Sequence, residues 1–272
     1  HERPEFSRFA WFSMMFGAGI GVGMLTYSTA EPLAHFANNP DVIMGTTAAL
    51  ERDNLAAAYK WTLLHYGLTP WGCYAIVGMS LAYFAYRRDM PLTIRSPFTA
   101  VLGPETARRV GAVVDAAAIL ATIIGIGVTI GYGVNQLTFG MHQITAWEWL
   151  VSDGKPSITA LSLAGILLIL ALSGIGRGIR WLSNLNMTLS WLLLVIFIVF
   201  GATAFAGEMF MGGLTEYLRA IPAMSITIWD GGDTPTAQAL SDWQSAWTIF
   251  YWAWWIAFTP FVGLFLARVS QG

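Results

Sequence analysis

The chain has 272 residues, 56% of them hydrophobic and 11% charged, with a formal net charge of −2. A soluble domain of this size cannot bury so much apolar surface, so the composition excludes one, and the charge gives no basis for a nucleic-acid partner. Its one cysteine, Cys73, excludes internal disulfides, and nothing in the sequence resembles a metal cluster.

A membrane-spanning helix needs roughly 20 mostly apolar residues. Six segments are predicted to qualify, at about 7–28, 54–86, 112–141, 158–174, 185–206 and 241–266, the fourth extending a few residues at either end. The fold class expected is therefore an all-α polytopic membrane protein. Lys and Arg favour cytoplasmic loops. One set of loops holds Arg3, Arg8, Arg87, Arg88, Arg95, Arg108, Arg109, Arg177, Arg180 and Arg268, and the opposite set holds Arg52, Lys60, Lys155 and Arg219. This bias predicts a cytoplasmic N-terminus. With no initiator Met and no signal sequence, the chain reads as a piece of a longer protein, cut at both ends.

In the first span Gly17, Gly19, Gly21 and Gly23 alternate. Each costs a helix about 1 kcal/mol relative to Ala. They suit a helix broken at the bilayer midplane, whose amides receive a carboxylate and whose carbonyls hold Na⁺. They equally suit two overlapping Gly-x-x-x-Gly packing motifs, and both readings stay open. Glu31 and Pro32 follow the span, where Glu31 is expected to cap or anchor it.

The second span contains His65, Tyr66, Gly67, Pro70, Trp71 and Tyr74. Tyr66, Trp71 and Tyr74 are predicted to share a broad face kinked at Pro70. With Trp255 from another helix they can close a box around a cation, although ordinary helix packing explains them as well. His65 could relay protons as a lone intramembrane histidine, but a structural, hydrogen-bonded role is expected. Residues 87–110, with three prolines, read as a connector. Asp115 is expected to start the third span, where an acid complements the helix dipole. Residues 174–186 read as a tight basic turn, Gly212–Met224 as an amphipathic helix along the outer surface, and Asp230–Pro235 as an exposed loop.

The last span carries the densest signal. From Trp247, the residues Tyr251, Trp254, Trp255, Phe258, Phe261 and Phe265 fall at offsets 4, 7, 8, 11, 14 and 18, one stripe of an α-helix. Such stripes often only pack, and Trp and Tyr gather at membrane interfaces. Trp243 and Trp247 suit an interfacial belt, whereas Trp254 and Trp255 lie mid-span. A π-rich wall there would attract a cation that cannot be met by hydrogen bonds, such as a quaternary ammonium.

Together these residues resemble the betaine/carnitine/choline transporter family. The likeness runs from Met14-Met15-Phe16-Gly17-Ala18-Gly19-Ile20-Gly21 through Ala30-Glu31-Pro32-Leu33, and from His65 to Gly78. It continues in Ser173-Gly174-Ile175-Gly176-Arg177-Gly178 with Leu182-Ser183-Asn184, and in Trp247 to Ala267, the most specific part. The resemblance implies twelve spans in a leucine-transporter-type inverted-repeat fold, of which these six are the third to eighth. Residues 1–206 would form the first five-helix repeat. Residues 207–240 would be an outer loop with a surface helix, and 241–272 the first helix of the second repeat.

The resemblance further implies an aromatic box of Tyr66, Trp71, Tyr74 and Trp255, with Trp252, Trp254 and Phe258 along the permeation path. The family usually has tryptophan at the positions of Tyr66 and Phe258. Gly17, Gly19 and Gly21 would receive the substrate carboxylate. Proton-driven choline carriers of the family have aspartate where this chain has Gly21, which favours sodium here. One sodium site would use backbone carbonyls around Met15 and Ala18. A second would use Thr122 and Phe261, but Ile126 replaces its other threonine. Sodium-independent carnitine exchangers carry a positive side chain in the third span, and this one has none.

The function expected is a sodium-driven symporter, not an enzyme, importing a trimethylammonium osmolyte. Glycine betaine comes first; choline, carnitine and dimethylsulfoniopropionate are alternatives. A membrane scaffold or channel whose aromatics merely pack is the reading from a different class. Sodium as coupling ion, no other cofactor, a lipid bilayer, a homotrimer and a plasma-membrane location (the inner membrane in a Gram-negative bacterium) complete the expectation.

Overall fold

Lipid leaves backbone polar groups nothing to bond except one another, so a chain this apolar is driven into helices. The computed structural model describes residues 3–19, 22–152, 155–172 and 178–271, and among them there are helices and turns but no strand. The helices are α1 (Arg8–Gly19), α2 (Val22–Ala37), α3 (Pro40–Ile43), α4 (Leu55–Tyr66), α5 (Leu68–Arg87), α6 (Arg95–Leu102), α7 (Pro104–Thr145), α8 (Lys155–Leu172), α9 (Arg180–Phe200), α10 (Thr203–Met224), α11 (Pro235–Gln244) and α12 (Phe250–Val269). A π-helical turn, Ser245–Ile249, joins the last two. By length and composition α7, α9 and the run Pro235–Val269 could each cross a membrane.

Several elements depart from expectation. Helix α2 continues to Ala37 and carries Glu31, Pro32 and His35 inside it, so Glu31 is no cap. The second span is interrupted at Gly67 rather than kinked at Pro70. Pro70 is the third residue of α5, where a missing N–H costs nothing because the first turn has no acceptor for it. Helix α7 starts at Pro104 and runs 42 residues, roughly 63 Å at 1.5 Å per residue. Asp115 therefore lies well inside α7, away from the helix dipole, and its Oδ2 pairs with Arg95 Nε at 3.4 Å. The connector contains α6, and α9 stops at Phe200, before Gly201. The basic turn and Gly21 fall wholly or partly outside the described residues.

The chain forms two compact units: His1–Thr26 with Val77–Leu193 and Pro260–Gly272, and Tyr27–Ile76 with Leu194–Thr259. In the first unit the start of α1 meets the end of α12. Phe6, Ala10, Met14 and Val269 form a core with Met15 and Phe265 beside it. Trp11 Nε1 donates to Ser270 Oγ at 2.9 Å, and Arg268 pairs with Glu5 at 2.9 Å. Helices α5 and α12 come close where Gly263 faces Val77: a Cβ on Gly263 would lie 2.6 Å from Val77 Cγ1.

In the second unit α10 packs on α4. Trp61, Leu64, Tyr217, Met224 and Trp243 form its core. Gly213 admits the Tyr59 side chain where any Cβ would collide. Tyr217 is fully buried. Trp243 is no belt residue: it is 4% exposed and touches the rings of Trp61, Trp229, His35 and His65. The turn after α2 is tied down by Asn39, whose Oδ1 caps α3 and whose Nδ2 donates to His35 O and to Asn54 Oδ1, both at 2.7 Å.

Candidate functional site

A helix that stops leaves carbonyls without partners, and at membrane depth they must be met by protein. At the Gly67 break Thr69 Oγ1 donates to Leu64 O. Trp255 Nε1 donates to His65 O at 2.9 Å, and Trp71 Nε1 donates to Tyr66 O at 3.1 Å. On the other side the Leu68 N–H donates to Tyr217 Oη at 2.7 Å. Gly67 itself tolerates no side chain, since a Cβ would lie 2.5 Å from Leu63 O and 2.6 Å from Tyr217 Oη. Two of the four expected box residues are thus held by their indole N–H groups on carbonyls that the break sets free.

Fixing an indole by its edge leaves its faces for other work. Trp71 and Tyr74 stand at 85° with centroids 5.9 Å apart; Tyr74 and Trp255 at 89° and 6.1 Å; Trp255 and Tyr66 at 75° and 6.3 Å. The four rings follow one another nearly at right angles. These are edge-to-face pairs, the arrangement aromatic rings prefer, and a cation within about 6 Å of a ring centroid is attracted by the ring's face. Tyr74 and Trp255 are buried, whereas Tyr66 and Trp71 are half-buried. Along the last helical run Trp247, Tyr251 and Trp255 stack one turn apart, at 16° and 22°. Trp254 stacks on Tyr251 and meets Tyr27 edge-on. Among the described residues Trp252 and Phe258 make no ring contact with the four.

Beside the rings lies a polar cluster that the sequence reading took apart. Glu31 and His35, one turn apart on α2, meet His65 of α4. Glu31 Oε1 is 3.0 Å from His35 Nε2 and 2.5 Å from His65 Nδ1. The side chains are 0%, 0% and 2% exposed. His65 Nε2 bonds Thr248 Oγ1 at 3.1 Å, and its ring stacks on Tyr251 at 4.8 Å and 15°. Tyr251 Oη in turn bonds Tyr66 Oη at 2.5 Å. The available signal was the four-residue spacing of Glu31 and His35; their shared burial was not visible.

The residues expected for sodium and for the carboxylate belong to the first unit. Thr122 and Phe261 line one groove of about 400 Å³ with Asp115, Ala118 and Pro260. Thr122 donates its hydroxyl proton to Ala118 O at 2.8 Å, which leaves its oxygen lone pairs available. Met15 and Ala18 are half-buried on α1, Met15 against the Phe6–Val269 core. Gly17 faces α9: a Cβ there would lie 3.5 Å from Ser183 Oγ, an ordinary van der Waals distance. Gly19 ends α1, and Gly21 lies outside the described residues.

The family description "betaine/carnitine/choline family transporter" matches residues 1–272. The chain is 39% identical to an osmo-dependent choline transporter of Acinetobacter baylyi, over all of this chain and 38% of that protein. It is 36% identical to a glycine betaine transporter of Bacillus subtilis, over all of this chain and 51% of that protein. Against a betaine/ectoine transporter of Corynebacterium glutamicum the identity is 38%, over all of this chain and 42% of that protein. The chain therefore spans about half or less of the length of these relatives. With the match extending from end to end, the chain belongs to the betaine/carnitine/choline transporter family.

Proposed function

We propose that the chain is the part of a sodium-driven symporter that binds a trimethylammonium osmolyte, glycine betaine first and choline second. The observation that carries this reading is the near-perpendicular succession Trp71, Tyr74, Trp255 and Tyr66, two of whose indoles are held by carbonyls at the Gly67 break. A trimethylammonium group has no N–H to donate, so π-faces are what a protein can offer it in place of water. The edge-fixed indoles keep those faces from turning away. Relatives named for glycine betaine and for choline favour the same ligand class.

The carboxylate of betaine is assigned to the amides of Gly17, Gly19 and Gly21, and sodium to the carbonyls near Met15 and Ala18. Thr122 and Phe261 contribute to a second ion site that Ile126 leaves short of one oxygen. The six spans are assigned to an inverted-repeat transporter of the plasma membrane, N-terminus inside, assembled as a homotrimer. The test is uptake of labelled betaine by the full-length protein in cells lacking their own osmolyte carriers, with sodium and with a potassium replacement. Uptake that requires sodium and is competed by choline supports the reading. Uptake indifferent to sodium removes the ion assignment, and no uptake of either compound removes the function.

A further inference from the structure

We infer that Glu31, His35 and His65 form a proton-binding site whose occupancy is linked to cation binding at the neighbouring aromatic rings; this rests on the trimethylammonium reading above. A carboxylate oxygen only accepts, so Glu31 Oε1, 3.0 Å from one imidazole nitrogen and 2.5 Å from another, takes a proton-bearing nitrogen from each. His35 is then protonated at Nε2 and His65 at Nδ1, and Thr248 is placed to donate to the remaining His65 Nε2. Two atoms are left over. Glu31 Oε2 and His35 Nδ1 are buried and find no hydrogen-bond partner among the described residues.

With both imidazoles neutral the cluster carries one negative charge in a buried setting walled by Trp243, Trp247 and Tyr251. Among the described residues no Lys or Arg pairs with Glu31; Lys60, further along α4, pairs with Asp41. The other titratable side chains facing the cluster are Tyr66 on α4 and Tyr251 on α12, with Tyr27 of α2 packed on Tyr251. A buried charge met by hydrogen bonds alone, with no cation beside it, is costly. A single added proton, on Glu31 Oε2 or on His35 Nδ1, cancels it and uses an atom that otherwise has no role.

A metal ion is the competing occupant, since three ligand atoms lie within 4.8 Å of one another. Tetrahedral zinc ligands sit about 2.0–2.1 Å from the ion, hence about 3.3 Å apart. The 2.5 Å between Glu31 Oε1 and His65 Nδ1 is a hydrogen-bond distance and too short for two ligands of one ion. The geometry therefore favours the proton.

The link to the rings is direct. The carbonyl of His65 holds Trp255, its ring stacks on Tyr251, and Tyr251 bonds Tyr66. A fixed positive charge among those rings favours the negative state of the cluster, so the proton leaves as the cation arrives. By reciprocity a protonated cluster weakens cation binding. Affinity should accordingly rise with pH, by up to about tenfold per unit, over the range in which the cluster loses its proton.

The test is calorimetric titration of purified full-length transporter with choline, at fixed sodium, in two buffers of different ionisation enthalpy. Choline is permanently charged, so every proton exchanged belongs to the protein. The heats should differ between buffers by an amount equal to about one proton released per choline bound. Glu31→Gln and, independently, His35→Gln should still bind choline but with heats that no longer depend on the buffer. Choline binding with buffer-independent heat in the unmodified protein would overturn the proton site while leaving the ring assignment standing. Undiminished proton release in both variants would also overturn it. Failure to bind choline or betaine at all would overturn both readings.

Discussion

At the scale of single residues, Trp255 has two tasks that a pair of substitutions tells apart. Its indole face belongs to the ring series and its Nε1–H closes the carbonyl of His65. Trp255→Ala removes both, and should weaken betaine binding by about 1–2 kcal/mol, tenfold or more. Trp255→Phe keeps a face but abandons a buried carbonyl, which costs about 1–3 kcal/mol. It should therefore bind betaine nearly as well as the parent while unfolding at a lower temperature. Titration and thermal unfolding of the two full-length variants check this, and equal binding by the alanine variant would remove Trp255 from the site. Gly21→Asp belongs here too: a carboxylate placed against the substrate's own should shift preference from betaine toward choline, read by competition uptake. The π-face of Trp255 was legible in the sequence because helical spacing is. Its hydrogen bond was not, because the acceptor becomes free only through a break in a different helix. Glu31 misled for a related reason: a lone acid before a proline looks like a helix end until two histidines from different helices are seen against it.

At the scale of elements, the interruption between α4 and α5 sets the site. The sequence pointed to the right stretch but to the wrong residue, because Pro70 draws attention while its position in the first turn of α5 makes it harmless. The steric demand at Gly67 comes from the Leu63 carbonyl one turn back and from Tyr217 on α10, and no local pattern reveals the second. Gly67→Ala should cost about 1–3 kcal/mol of stability, as forced contacts in a packed site do. Tyr217→Phe should cost a comparable amount by leaving the Leu68 N–H without its acceptor. Both are measurable as lowered unfolding temperatures of detergent-solubilised full-length protein. Unchanged unfolding in both would mean that the break is held by something other than these contacts. Helix α10 was legible as a helix, and Leu214 and Ile221 of its apolar side pack against the core. The close approach at Gly213 and the Tyr217 hydroxyl that accepts from Leu68 N–H were not legible, because both depend on partners in α4 and α5.

At the scale of the whole molecule, long apolar runs announce helices reliably because lipid leaves them no alternative. How those helices pack depends on close approaches at glycine and on buried polar pairs, which periodicity does not encode. Ion coupling is a property of this scale. Thr122 can offer an oxygen to sodium and Ile126 cannot, so sodium activation of uptake should follow a Hill coefficient near one, and Ile126→Thr should steepen it by supplying a further ligand. Steep activation in the unmodified protein would contradict that ion assignment. The central claim, that the rings hold a cation and do not merely pack, has a direct measurement. Glycine betaine and 3,3-dimethylbutanoate share a shape and a carboxylate, but only betaine carries the positive charge. Equilibrium binding of each to the full-length transporter should favour betaine by about 2 kcal/mol, roughly thirtyfold, the worth of a desolvated cation–π interaction. Equal affinity for the two would contradict the account, since an apolar pocket alone would then explain the binding.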